Sequence, residues 1–563
     1  MRTQLFTLAT LATLTLACKP AATTPPPEPV PPGGPTFTSE TAVWPDEPYR
    51  ASIPAPGPVA ELNLPGVETF KLDSGLEVFL VRQTKLPTVT MSFEFDGGAI
   101  RDPRNKTSMT SLCMDLLDEG TKNLDTAAFE EKQADHAVNV SSFGGSDTTG
   151  INVRALTSQL GPALDLMVEM LQQPGLRQTD LDRLKDARKA NLLQAKASPA
   201  PIAGRLYGSL VWGKDHPYGQ FETEKTIAAV TLKDCEKLVS QLKPGGARLW
   251  VTGMITQDEI RKELGTRLAS WTGKAPTPLK IPAAKPRLGT IFFVHVDGAA
   301  QSSIYVGHPG PERNAADFEA TEMMTEILGG SFSSRINMNL REAKGYTYGG
   351  RAGIGYRRTG SSLSASSSVR TDATGPALRE VIKEFVTMRT TDATDAELKR
   401  VKEGSLLALP AEFATPSDTL FVFQRLKFYG LPLDWYGGYQ QRLKTVDIPA
   451  VRKAAEQHLR EQDFVVLVVG DGAKILPDLD AIAKEKLFGK GGLVILDADG
   501  KPTARPAVTA APTPTPAPAP AAAAAPITAA PPAAAPAAPA AAPPVAAAPA
   551  AAPAPAAEAK IAK

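Results

Sequence analysis

Between Glu77 and Gly120 the chain changes its hydrophobic period twice. Val78-Phe79-Leu80-Val81 is a continuous apolar run, the pattern of a strand covered on both faces. Val89, Met91, Phe93 and Phe95 then alternate with Thr90, Ser92 and Glu94, the period of two of a half-buried strand. Pro87 separates the two runs and predicts a tight antiparallel connection. From Ser108 to Asp118 the period lengthens, placing Met109, Leu112, Leu116 and Leu117 on one face of a helix. Gly120 supplies the stop signal.

Segments of the same kind return later in the chain. Gly161-Pro162-Ala163-Leu164 opens one helical stretch and Gly375-Pro376-Ala377-Leu378 another, at an offset of 214. Thr179-Asp180-Leu181-Asp182 is echoed by Thr394-Asp395-Ala396-Glu397 at 215. Leu249-Trp250-Val251-Thr252-Gly253 and Leu467-Val468-Val469-Gly470 end their copies with a strand, the glycines 217 apart. Leu117-Asp118-Glu119-Gly120 corresponds to Ile327-Leu328-Gly329-Gly330 at 210. Offsets that drift so little predict an α+β protein of two homologous halves, residues 60–280 and 286–490, each an antiparallel sheet packed by helices.

The ends read differently. Met1-Arg2, an apolar run through Leu16 and the small residues before Cys18 have the form of an export signal, too short for a comfortable membrane anchor. Leu14-Thr15-Leu16-Ala17-Cys18 resembles the lipobox of bacterial lipoproteins, with Thr15 where leucine is usual. The expectation is a signal peptide over 1–18, lipidation at Cys18 and attachment to the cell envelope. In a Gram-negative source, Lys19 favours the periplasmic side of the outer membrane. Residues 19–59 are proline-rich and read as an extended tether, and 503–563 as a disordered Ala/Pro tail. Across all 563 residues, 61 Lys and Arg face 60 Asp and Glu, so no global field points to nucleic acid as a partner. Cys113 and Cys235 support neither a disulfide framework nor a metal cluster, and two buried free thiols are the expected state. A single bridge is the alternative in an oxidising compartment.

From Gly66 to Leu479 the order of features resembles the insulinase, or pitrilysin-like, zinc peptidases. Phe70-Lys71-Leu72-Asp73-Ser74-Gly75-Leu76-Glu77-Val78 is similar to that family's opening strand, and His216-Pro217-Tyr218-Gly219 to a turn its members carry. The resemblance implies that each half is a sheet packed by helices and that the two form one side of a peptidase chamber. In active members the first helix carries His-x-x-Glu-His, whose histidines bind zinc while the glutamate acts on the metal-bound water. Here Ser111 and Asp115 stand at the histidine positions and Met114 at that of the glutamate. The third ligand of the family is a glutamate on a later helix, yet no glutamate occurs between Glu169 and Glu222. Leu184 and Asn191 occupy the equivalent positions. Asp115 with Asp186 could offer only a weak site for a hard cation, and His136, His216, His295, His308 and His458 contain no pair at helical spacing. No metal is expected in this chain.

The second half keeps another family signature. Leu340-Arg341-Glu342-Ala343-Lys344-Gly345-Tyr346-Thr347-Tyr348 resembles the Arg/Tyr motif that binds the substrate backbone near the scissile carbonyl, with Arg341 and Tyr348 as its two functional residues. The preceding Gly329-Gly330 fits neither a P-loop nor a dinucleotide motif and reads as a turn before a substrate-facing helix. A guanidinium and a phenol can hold a peptide carbonyl and the oxyanion that forms from it. Some bacterial members work as heterodimers of a zinc subunit and an Arg/Tyr subunit. The resemblance therefore implies a substrate-binding subunit, inactive alone, whose partner supplies zinc and whose substrates are peptides. The alternative is a catalytically inactive scaffold or peptide-binding lipoprotein of the envelope.

Overall fold

The computed structural model describes residues 57–58, 62–274 and 276–506. The expected signal segment with Cys18, most of the tether and the tail from 507 onward lie outside the described residues. The first sheet contains β1 (Glu68–Lys71), β2 (Glu77–Arg82), β3 (Thr88–Asp96), β4 (Asn139–Gly144), β5 (Thr148–Leu156) and β6 (Arg248–Gly253), in the order β1-β2-β6-β3-β5-β4. The second contains β7 (Thr290–His295), β8 (Gln301–Gly310), β9 (Thr347–Tyr356), β10 (Ser361–Arg370), β11 (Val465–Gly470) and β12 (Gly492–Leu496), in the order β12-β7-β11-β8-β10-β9. Five strands of each sheet thus share one order, as the repeated segments predict. The sixth is recruited from opposite ends: β1 is the first strand of its half, whereas β12 is the last of the other.

The expected architecture stands, and three details of the sheets are corrected. They are mixed, because β6 runs parallel to β2, and β11 and β12 run parallel to β7. The runs on either side of Pro87 form no hairpin, because β6 inserts between β2 and β3 and pairs with both. Leu249, Trp250 and Val251 of β6 are fully buried, as suits a strand at the centre of the sheet with both faces covered. The second sheet also runs past residue 490, since β12 extends it to Leu496.

The halves interlock by exchanging helices. Helix Pro199–Trp212 of the first half lays Ile202, Leu206 and Val211 against Phe292, Val294, Val465 and Leu467 of the second sheet. Helix Pro416–Phe428 of the second half lays Leu420, Phe423 and Leu426 against Phe79, Val81 and Trp250 of the first. Both helices open with proline in the first turn, where a missing N–H costs nothing. Their starts, Pro199 and Pro416, are offset by 217, as are the glycines that close β6 and β11. Each sheet therefore has one face covered by its own half and the other covered by its sibling.

The cysteines form a disulfide, Cys113–Cys235, rather than the expected free thiols. It joins helix Met109–Leu117 to helix Leu232–Ser240, whose facing sides already share a core with Leu112, Leu116, Leu181 and Ile227. Helix periodicity places Cys113 inside, but only the tertiary packing brings Cys235 opposite it. The bridge joins cysteines separated by 122 residues and so restricts the unfolded state. Replacing both cysteines with alanine should lower unfolding stability by about 2–5 kcal/mol, read from the urea midpoint.

Candidate functional site

Helix Met109–Leu117 starts against a buried carboxylate. Asp102 accepts from the Thr110 backbone N–H (3.1 Å) and from its hydroxyl, and burial pushes its carboxyl up to about 6. Met114, at the position of the family's glutamate, is fully buried under the edge strand β4. There the Ser142 hydroxyl donates to the Met114 carbonyl, and a Cβ on Gly144 would stand 3.1 Å from Ser111 Cα. A strand riding this close to the helix leaves Met114 no water to act on.

Ser111 and Asp115 turn instead toward helix Gln178–Ala195, and Arg188 reaches in from it. The Arg188 Nη2 donates to Ser111 Oγ at 3.1 Å, Nε donates to Glu222 Oε2 at 2.8 Å, and Nη1 lies 3.7 Å from Asp115 Oδ2. Burial pushes the Asp115 carboxyl up, and the Arg188 charge opposes that shift. A guanidinium that never loses its proton thus sits between the two positions that would carry the zinc-binding histidines. A divalent cation placed there would meet a fixed positive charge, a neutral hydroxyl and a single carboxylate, Asp115, already facing that charge, with no histidine, so these residues do not fit zinc.

Leu184 packs into the core beside the disulfide, and Asn191 is exposed. Asp186 is not brought to Asp115, because it pairs with Lys189 at 3.0 Å on the outer side of the helix. Among the described residues no three His, Cys, Asp or Glu side chains converge as metal ligands. The histidines serve separate local contacts, with Gln159, Pro282, Gly472, Pro309 and Asp317 respectively in chain order. Arg188 and Glu222 are the residues that sequence reasoning missed. Arg188 lies between Leu184 and Asn191, and a cation in a stretch searched for a missing glutamate was the available signal.

Just beyond the helix, Asp118 accepts from the Ser142 backbone N–H, and burial pushes its carboxyl up to about 7. Such a group binds its proton more tightly folded than unfolded. Its contribution is complete below the ordinary aspartate range and is lost as pH rises through about 7. Stability should therefore fall between about pH 4 and pH 7, by on the order of 2 kcal/mol, with Asp102 adding in the same direction. Asp118→Asn should remove most of that slope in urea titrations taken across the range.

Arg341 and Tyr348 lie on the other sheet. Arg341 belongs to the helical stretch Met338–Ala343, Gly345 turns the chain with φ at 62°, and Tyr348 stands near the start of β9. That φ lies in the left-handed region that favours glycine. The Arg341 Nη1 donates to the Tyr348 carbonyl at 3.1 Å, its Nε lies 3.1 Å from the Glu342 carboxylate, and its guanidinium sits 4.8 Å over Phe332. Tyr348 is 86% exposed and Phe332 61%. The two signature residues are thus brought together through the Tyr348 backbone. They stand at an edge strand, since among the described residues β9 pairs only with β10. Gly329-Gly330 closes the helical stretch Glu326–Gly330 rather than forming a simple turn. Gly329 is pressed so close to Ala352 of β9 that a Cβ would stand 2.1 Å from its backbone nitrogen.

Known proteins named as peptidases and as non-peptidases both resemble the chain. A protein of Helicobacter pylori named non-peptidase homolog YmxG is 21% identical over 396 residues, spanning 69% of this chain and 90% of its own length. An uncharacterized zinc protease of Mycobacterium leprae is 22% identical over 352 residues, spanning 60% of this chain and 77% of its own. The crystal structure of a peptidase M16 inactive domain from Pseudomonas fluorescens superposes with a TM-score of 0.66 at 22% identity, covering 72% of this chain and 98% of that one. Residues 77–206 match the family described as insulinase (peptidase family M16), and residues 230–405 match the peptidase M16 inactive domain. With more than half of its length matched in family order and the fold shared, the chain belongs to peptidase family M16.

Proposed function

We propose that this chain is the substrate-positioning subunit of a two-subunit M16 peptidase, whose zinc, activated water and general base come from a zinc-bearing partner of the same family. The observation that carries the reading is an asymmetry between the two signatures. At the first, a buried Met114 and the Arg188 cation replace the zinc machinery. At the second, Arg341 and Tyr348 stand together, exposed, beside an open sheet edge. A surface kept only for stability has no need of an 86% exposed tyrosine next to an exposed arginine. The substrates would be unfolded peptides, whose carbonyls accept from the guanidinium and phenol. No cofactor is assigned to this chain.

A second reading, an inactive scaffold or peptide-binding lipoprotein, is favoured by the relative named a non-peptidase homolog. A genome with no M16 protein carrying an intact His-x-x-Glu-His would support it over the first. In either case we place the protein in the cell envelope, anchored through Cys18. The disulfide agrees with an oxidising compartment. The test is affinity isolation of the full chain from its native envelope, with identification of what co-purifies. The proposal expects a zinc-bearing M16 chain in near-equal amount, and recovery of the chain alone would count against it.

A further inference from the structure

A second cavity, away from both signatures, holds a guanidinium whose N–H groups have no hydrogen-bond partner among the described residues. It has a volume of about 380 Å³ and lies within the second half, between helices Phe318–Thr325, Asp395–Ala408 and Pro416–Phe428 and the end of β9. Its walls carry Phe318, Tyr356, Tyr429, Trp435, Tyr436 and Tyr439. Arg313 enters this ring of aromatics with its guanidinium 3.5 Å from the Phe318 ring centre and 4.6 Å from that of Trp435, and 5.9 Å from those of Tyr356 and Tyr429. Among the described residues it makes no hydrogen bond and no ion pair.

The other charged groups lining the cavity are matched. Arg425 pairs with Glu412 at 2.7 Å and donates to the Tyr436 hydroxyl at 2.7 Å. The Tyr356 hydroxyl donates to Glu322 at 3.2 Å. Burial depresses the Arg313 guanidinium, and the Glu322 charge opposes that shift without forming an ion pair with it. Stacking on aromatic faces offsets some of that cost but leaves the N–H fork empty. The geometry of that fork matches a carboxylate, which it can bind through two parallel hydrogen bonds. Burial pushes the Glu322 carboxyl up, and the nearby Arg313 charge and the Tyr356 hydroxyl oppose that shift.

We propose that this cavity is a binding site for a carboxylate carried on an apolar, preferentially aromatic body. Arg313 receives the carboxylate and the tyrosine and tryptophan rings cover the body. A free aryl acid and the C-terminus of a peptide ending in an aromatic residue share this chemistry. The site does not depend on Arg341, Tyr348 or a zinc-bearing partner.

Isothermal titration of the full chain tests it with three probes: N-acetyl-phenylalanine, its C-terminal amide, and a hexapeptide ending in phenylalanine. The expected result is that N-acetyl-phenylalanine binds and the amide binds at least tenfold more weakly. Arg313→Gln should lose at least tenfold for the acid. A hexapeptide at least tenfold tighter than the free acid identifies a peptide C-terminus as the source. Equal affinity identifies the free acid. Acid and amide binding alike, or neither binding at millimolar concentration, would overturn the proposal using unmodified protein alone, whatever the variant does to folding.

Discussion

Replacing Arg341 with alanine should lower kcat/KM of the reconstituted two-subunit peptidase about 10²- to 10³-fold, the range measured for loss of one oxyanion-hole donor. In the isolated chain this arginine is solvated, engaging the Tyr348 carbonyl through Nη1 and Glu342 through Nε. Closure against a zinc-bearing partner would exclude water from it, and its charge would then act on the carbonyl oxygen as negative charge develops there. Because that interaction strengthens in the transition state, the loss should fall mainly on kcat. Tyr348→Phe should give a smaller loss of the same kind. Neither change should alter unfolding stability by more than about 0.5 kcal/mol, since both side chains are exposed and leave no buried group unpaired. Steady-state assays with each variant in the complex check this, and unchanged kcat/KM for Arg341→Ala would remove the proposed role.

The largest loss of stability from a single charge should come from Arg248. This strand residue donates through Nε to Glu94 at 2.9 Å and through Nη1 to Asp96 at 3.1 Å, and Asp96 also meets Arg358 of the second half at 2.8 Å. Glu94 is only 5% exposed. Burial pushes the Glu94 carboxyl up, while Arg248 and Arg358 hold that of Asp96 down. Arg248→Ala strands the buried Glu94 carboxylate and leaves Asp96 to Arg358 alone, and should cost about 3–5 kcal/mol. Arg248→Met combined with Glu94→Gln should recover part of that loss, because the cost of a broken buried pair lies mostly in the orphaned charge. Urea unfolding of the single and double variants separates the two contributions. Equal losses in both would show that packing, not charge, matters there.

The strands around Pro87 and the repeat of the halves were legible because both depend on local period and on glycine and proline punctuation. The place of β6 was not, since its partners β2 and β3 belong to a far earlier stretch of chain and only the completed sheet shows a gap between them. The helix exchange is hidden for the same reason: Leu206 and Phe423 read as apolar faces, and nothing local says whose sheet they cover. At the site, the replaced positions Ser111, Met114 and Asp115 could be read from their spacing. Their new tenant could not. Arg188 takes its meaning from three partners on separate turns and segments, Ser111, Asp115 and Glu222.

That tenant sharpens the account of the first half. With a permanent cation held between Ser111 and Asp115, the chain has no need of a metal to balance its carboxylates, and the proposed peptidase would draw its zinc from a partner. The most direct measurement is cleavage of an unfolded peptide by this chain alone, by a zinc-bearing M16 partner alone, and by the two together. The account predicts little or no cleavage by either alone, and robust cleavage by the mixture that zinc chelation abolishes. Cleavage by this chain alone, or a mixture no faster than the zinc-bearing protein alone, would contradict it.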